Sequence, residues 1–125
     1  MLREVLHSKI HLGTVTGAHP NYVGSITIDA DILEAIGLRV NDKVTIANCS
    51  NGARLETYVF KGEPGSKKIE LNGASARLIA EGDKVIVLHY AFLTDEEYRS
   101  HRPTIAIMGE GNRIEKTMHY EPFGG

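Results

Sequence analysis

The chain reads as a mainly β protein, a compact barrel or sandwich carrying a few short helices. Three features predict this. Short segments of β pattern alternate with turn signals at close intervals, which disfavours a parallel sheet wound with crossover helices. An Asn51-Gly52 pair stands between two of those segments, and this dipeptide is the strongest short-range hairpin signal. Helical periodicity is confined to brief stretches. A length of 125 residues suits a single domain with one hydrophobic core, so residues 1–125 are expected to fold as one unit.

Residues 9–16 (Lys9-Ile10-His11-Leu12-Gly13-Thr14-Val15-Thr16) alternate in character and make the first predicted strand. Residues 26–28 make the next. Asp29 or Asp31 then caps a short helix whose apolar residues Ile32, Leu33 and Ile36 share a face, and Gly37 supplies its stop. Residues 43–49 and 54–60 flank Ser50-Asn51-Gly52-Ala53 and should pair antiparallel. Pro64-Gly65 marks a turn into a strand over 67–71. Asn72-Gly73-Ala74-Ser75-Ala76-Arg77-Leu78 is a tight loop entering a short helix, and Gly82-Asp83 turns the chain into the core strand Val85-Ile86-Val87-Leu88. Thr94 with Glu97 forms a capping-box pattern for a brief helix over 95–101, ahead of Pro103. Residues 104–108 give one more strand. From about residue 110 to 125 the periodicity is weak and the end glycine-rich, which predicts a peripheral or disordered tail.

Composition narrows the function. With 14 Lys and Arg against 16 Asp and Glu the chain has no bias toward a polyanion, and without Trp it lacks an obvious base-stacking surface, so no nucleic-acid partner is expected. No apolar run is long enough to span a bilayer, and residues 1–7 carry an acid early without an apolar secretory core. No membrane partner and a cytoplasmic location are therefore predicted. The single cysteine, Cys49, excludes an internal disulfide and a CxxC metal cluster, and its place on the predicted strand makes it a small buried hydrophobe. His7 and His11 have a spacing that serves zinc on a helix, but they fall near or on a strand, so no metal is expected.

Chemistry points to Gly24-Ser25, in the run Tyr22-Val23-Gly24-Ser25-Ile26-Thr27-Ile28-Asp29. The hydroxyl of a serine that follows glycine at the mouth of a strand can add to the preceding carbonyl, turn the peptide into an ester and then eliminate. The chain breaks there, and residue 25 becomes an N-terminal pyruvoyl group. Such a carbonyl does the work of PLP: it condenses with an amine and holds the electrons released by a decarboxylation. The other such pair, Gly65-Ser66, follows Pro64 and reads as a turn. A decarboxylase of this kind needs a cation for a carboxylate, a proton donor and backbone donors. Arg54 offers a planar fork, and Tyr58, of the same parity along its strand, is a candidate general acid. Thr57 would meet such a pocket mainly through its backbone. Lys9 and His11 share parity on the first strand.

In order, Lys9-Ile10-His11, Val15-Thr16, Tyr22-Val23-Gly24-Ser25, Ile28-Asp29, Asn51-Gly52-Ala53-Arg54, Thr57-Tyr58, Gly65-Ser66, Leu71-Asn72-Gly73-Ala74 and Gly82-Asp83 make the chain resemble the pyruvoyl-dependent aspartate 1-decarboxylases over about residues 1–95. The resemblance implies a six-stranded double-psi β-barrel assembled as a homotetramer, with sites between neighbouring subunits. It implies self-cleavage into a β chain, 1–24, and an α chain, 25–125, headed by the pyruvoyl cofactor. It implies conversion of L-aspartate to β-alanine and CO2 on the way to pantothenate, through a Schiff base on the group from Ser25, with Tyr58 as proton donor. Thr57, Gly73, Ala74 and Ser75 would bind substrate, Arg54 and Lys9 would hold carboxylates, and Asn72, His11 and Tyr22 would support the site. Position 75 is Ser where the family commonly has Ala, which adds a hydroxyl and leaves backbone contacts intact. Some members need an acetyltransferase-like partner for cleavage, which adds a maturation factor to the partners to test. The competing reading is an uncleaved, non-enzymatic β-barrel that serves binding or oligomerisation.

Overall fold

The computed structural model describes residues 1–121, and within them the chain is mainly β. The strands are β1 (Arg3–Thr14), β2 (Gly17–His19), β3 (Ser25–Asp29), β4 (Lys43–Asn48), β5 (Arg54–Gly62), β6 (Ile69–Asn72), β7 (Lys84–Leu93), β8 (Thr104–Met108) and β9 (Ile114–His119). Two short helices, α1 (Ala30–Ile36) and α2 (Asp95–Ser100), interrupt them among the described residues. The strands form one hydrogen-bonded series, β2-β6-β3-β5-β4-β7-β1-β8-β9, which is not closed into a ring.

The hairpin is where the Asn-Gly pair predicts it. β4 and β5 run antiparallel from Lys43 opposite Tyr58 to Ala47 opposite Arg54, and Gly52 adopts a φ of 79° in the turn. The alternation of β3, β4, β5, β6 and β7 sends Ile26, Ile28, Ile46, Val59, Ile69, Leu71, Val85 and Val87 inward, each no more than 1% exposed. Helix α1 lays Ile32, Leu33 and Ile36 on that core. The Asp29 carboxylate accepts the Asp31 N–H at its start (2.8 Å), and Gly37, at φ 77°, ends it.

Three sequence expectations need correction. Strand β1 starts at Arg3, well before residue 9; its first residues are only partly covered, so they lack the alternation that marks a half-buried strand. Cys49 is exposed, because the strand ends at Asn48 and it is Asn48, in phase with Val44 and Ile46, that points inward. The tail predicted over 110–125 as peripheral or disordered is peripheral in part, and it is structured through residue 119. Asn112, 1% exposed, bonds the Thr14 N–H and C=O and the Lys67 C=O, and β9 then pairs antiparallel with β8. That strand lies at the edge of the series and is largely exposed, hence its polar sequence. Residues 122–125 of the predicted tail lie outside the described residues.

Candidate active site

Strand β5 changes partners at its middle. Residues 54–58 pair with β4, and from Val59 onward the strand pairs in parallel with β3, Val59 opposite Ile26 and Phe60 opposite Thr27. On its other edge β3 pairs antiparallel with β6, Ser25 opposite Asn72 and Thr27 opposite Glu70. With the even positions of β3 in the core, the odd ones come out on the opposite face. Two cross-strand rows result: Tyr58–Ser25–Asn72, and beside it Phe60–Thr27–Glu70. A cavity of about 570 Å³ opens over both rows and is walled on one side by Asn21, Tyr22 and Val23. That volume suits a small molecule.

Ser25 is 5% exposed although it sits on the outward face. Its Oγ accepts a hydrogen bond from the Asn72 side-chain amide at 3.0 Å, and the same amide nitrogen donates to Thr27 Oγ1 at 2.9 Å. The serine hydroxyl therefore keeps its own proton for another acceptor. Just before it, Gly24 lies against Gly73. A Cβ on residue 73 would come within 2.6 Å of Gly24 Cα and 3.2 Å of the Tyr22 carbonyl oxygen, and the φ of Gly73 is +79°. Space and backbone conformation both demand glycine there. Ser75 turns its added hydroxyl back onto the Asn72 carbonyl at 3.1 Å, within the 3-10 turn over Gly73–Arg77.

One chain thus brings Ser25, Tyr58, Asn72 and Tyr22 to the cavity, with Gly24 and Gly73 adjoining through the backbone. Ala74 and Ser75 follow in the turn. Thr57 faces the other side of β5 from Tyr58 and is half-buried. Arg54 shares the face of Tyr58 but lies four residues away along the strand, roughly 13 Å. Lys9 and His11 belong to β1, four positions from β3 in the series. The Nδ1 of His11 is buried without a hydrogen-bond partner. The described lining of the cavity contains no lysine or arginine. Among the described residues, no group of three or more His, Cys, Asp or Glu could hold a metal ion.

Sequence reasoning passed over Thr27, Phe60 and Glu70. The period of two, counted on from Ser25 and Tyr58 and back from Asn72, would have put each on the same face. What the sequence did not reveal is that β3 separates β5 from β6 and so aligns the three strands.

Fold and site define a class: a small, mainly β protein presenting a serine–tyrosine–asparagine row at a cavity of small-molecule size, beside a point where two glycine backbones touch. Known proteins make the class particular. The family model described as aspartate decarboxylase matches residues 1–115. The aspartate 1-decarboxylase of Bacillus subtilis (strain 168) is 51% identical over 122 residues, 98% of this chain and 96% of that protein. Its counterpart in Geobacillus sp. (strain WCH70) is 54% identical over 122 residues, with the same coverage. The Caldicellulosiruptor saccharolyticus aspartate 1-decarboxylase is 55% identical over 121 residues, 97% of this chain and 94% of that protein. The chain belongs to the aspartate decarboxylase family.

Proposed function

We propose that the chain is an aspartate 1-decarboxylase that converts L-aspartate to β-alanine and CO2 for pantothenate synthesis, with a pyruvoyl cofactor made from its own Ser25. The observation that carries this reading is the seat of Ser25: first residue of β3, between Tyr58 and the Asn72 amide, with the preceding glycine pressed on Gly73. The residues fit the group. A pyruvoyl is no larger than the serine it replaces, and the Asn72 amide that reaches Oγ is a donor suited to a carbonyl oxygen.

In the self-cleavage, Ser25 Oγ adds to the Gly24 carbonyl carbon. The C–O bond forms, the C–N bond breaks, and the hydroxyl proton ends on the Ser25 nitrogen. Loss of the Ser25 α proton then breaks the Cβ–O bond and releases Gly24 as a carboxylate. One water displaces the nitrogen as ammonia. The group so formed would supply an electrophilic carbonyl for the substrate amine and a sink for the electrons freed when CO2 leaves. Tyr58, next to Ser25 in the row, gives a proton to the carbon that lost CO2. Asn72, whose amide reaches Ser25 Oγ, would hold the carbonyl oxygen of that group, and the Gly73–Arg77 turn together with Thr57 would line the substrate through backbone groups.

A dicarboxylic substrate also needs cations, and the cavity of one chain holds none among the described residues. Arg54 and Lys9, with His11 beside them, supply these from a neighbouring copy in a homotetramer. Their place outside the single-chain cavity supports a site completed between subunits. The double-psi barrel of six strands belongs to the same reading, with β2, β9 or other outer strands as additions to it. No helix among the described residues is long and apolar enough to cross a membrane, and the enzyme works in the cytoplasm on this reading.

CO2 release from a panel of amino acids, by the wild-type chain and by Ser25→Ala, tests the proposal. The wild type should act on L-aspartate in preference to glutamate and other small amino acids, and Ser25→Ala should stay unbroken and inert. Release of CO2 by Ser25→Ala would overturn the mechanism. Cleavage of the purified chain alone would show that it needs no maturation factor.

A further inference from the structure

Glu70 lines the same cavity, His19 stands behind its wall, and neither takes part in the chemistry above. Strand β2 pairs in parallel with β6, His19 opposite Asn72 and Gly17 opposite Glu70. The His19 ring leans across Gly17 and brings Nε2 to 3.7 Å from Glu70 Oε1. Gly17 leaves the room for this: a Cβ there would sit 3.0 Å from Glu70 Oε2 and 3.2 Å from His19 Nε2. Tyr22 stacks on the imidazole, ring centroids 4.6 Å apart and planes 15° from parallel, and the Tyr22 N–H donates to the His19 carbonyl at 3.1 Å. The side chains of His19 and Glu70 are 35% and 20% exposed, so the contact is partly shielded from solvent.

The place of this stack gives it a purpose. Residues 20–24 run from the end of β2 to Ser25. Their far end is fixed by the Gly24–Gly73 contact and by the pairing of Ser25 with Asn72. Between those ends the core offers little grip, since Tyr22 is 63% and Val23 85% exposed. An attack of Ser25 Oγ on the Gly24 carbonyl is an intramolecular reaction, and its rate depends on holding the carbonyl in reach at the right angle.

We propose that Glu70 and His19 are positioning residues for the breaking of the Gly24–Ser25 bond. Glu70 fixes the imidazole, the imidazole fixes the Tyr22 ring, and Tyr22 fixes the approach of the chain to Gly24. Neither Glu70 nor His19 touches the reacting atoms. The proposal rests on the self-cleavage reading and deepens it.

The test is a time course of intact mass on freshly purified full-length chains, with thermal unfolding of each followed in parallel. His19→Ala, Glu70→Ala and Tyr22→Ala should cleave about ten- to a hundred-fold more slowly than the wild type. Tyr22→Phe keeps the stacked ring and should restore most of the rate lost in Tyr22→Ala, a rescue that a general loss of stability would not produce. His19→Gln and Glu70→Gln fill similar space and carry the same expectation should an alanine variant fail to fold. Their combination should be no slower than the slower of the two, because the residues act in series. A wild-type chain that breaks while the His19 and Glu70 variants keep pace with it overturns the positioning role alone. A wild-type chain that never breaks, either alone or when incubated with lysate of the cells that make it, overturns the self-cleavage reading and the positioning role with it.

Discussion

Tyr58 stands where β5 leaves β4 and takes up β3, and that handover sets it beside Ser25. Tyr58 is 38% exposed and lines the same cavity as Ser25. Tyr58→Phe should therefore still self-cleave but lose turnover by about 10²- to 10⁴-fold in kcat, the usual contribution of a positioned proton donor. Normal turnover would assign the proton to another group. A second residue-scale expectation concerns pH. His7 packs against His89 and His101, ring centroids 5.1 and 6.1 Å away. Burial, then the neighbouring His89 and His101, hold its pKa below the ordinary 6.5, with Asp42 opposing in part. The unfolded chain therefore takes up a proton at a pH where the folded one refuses it, so stability is full above about pH 6.5 and falls as pH drops through the folded value. Urea midpoints measured from about pH 7.5 to 5.5 should fall for the wild type and fall less for His7→Gln. At this scale the sequence singled out Gly24-Ser25, Tyr58 and Asn72, which the fold brings to or beside one cavity, because a dipeptide, strand parity and a motif are local. Cys49 was misjudged by one position, since parity reverses at every residue and the strand end was set one residue too late.

The elements owe their arrangement to a few polar side chains that tie distant segments together. Asp29 ends β3 and caps α1, and its carboxylate also accepts the N–H groups of Gly65 at 3.1 Å and Lys67 at 2.7 Å. Burial pushes this carboxyl up, but the N–H groups of Lys67, Asp31 and Gly65 more than offset it and hold the pKa below the usual carboxylate value. Asp29→Ala loses the cap of α1 and the acceptor that ties Gly65 and Lys67 to it, which should destabilise the fold by about 1–2 kcal/mol in urea unfolding. A loss under 0.5 kcal/mol would mean that water replaces the carboxylate at roughly no cost. The sequence allowed either Asp29 or Asp31 as the cap; the bonds to Gly65 and Lys67, 36 and 38 positions on, carry no local signature. Strand β2, three residues long, and β9, at the exposed edge, escaped notice because neither buries a clean alternating face. Asn112 is likewise a tertiary anchor in a stretch of weak periodicity.

At the scale of the molecule, the segment that self-cleavage would detach is threaded through the fold. Strand β1 lies between β7 and β8, and β2 pairs with β6, so residues 1–24 contribute the strand at one end of the series and the strand third from the other. A break after Gly24 leaves those ladders in place, and the two pieces should stay together under native conditions. The sequence foretold a mainly β chain and its hairpin, but not the strand order: residues read from 1 to 125 do not reveal that β3 is flanked by β5 and β6, the arrangement that builds the cavity. Denaturing intact-mass measurement of the purified chain, with a native measurement beside it, tests the central claim most directly. Two pieces should separate only on denaturation, residues 1–24 and residues 25–125, the larger beginning with a pyruvoyl group. A single unbroken chain that nevertheless releases CO2 from aspartate would contradict it.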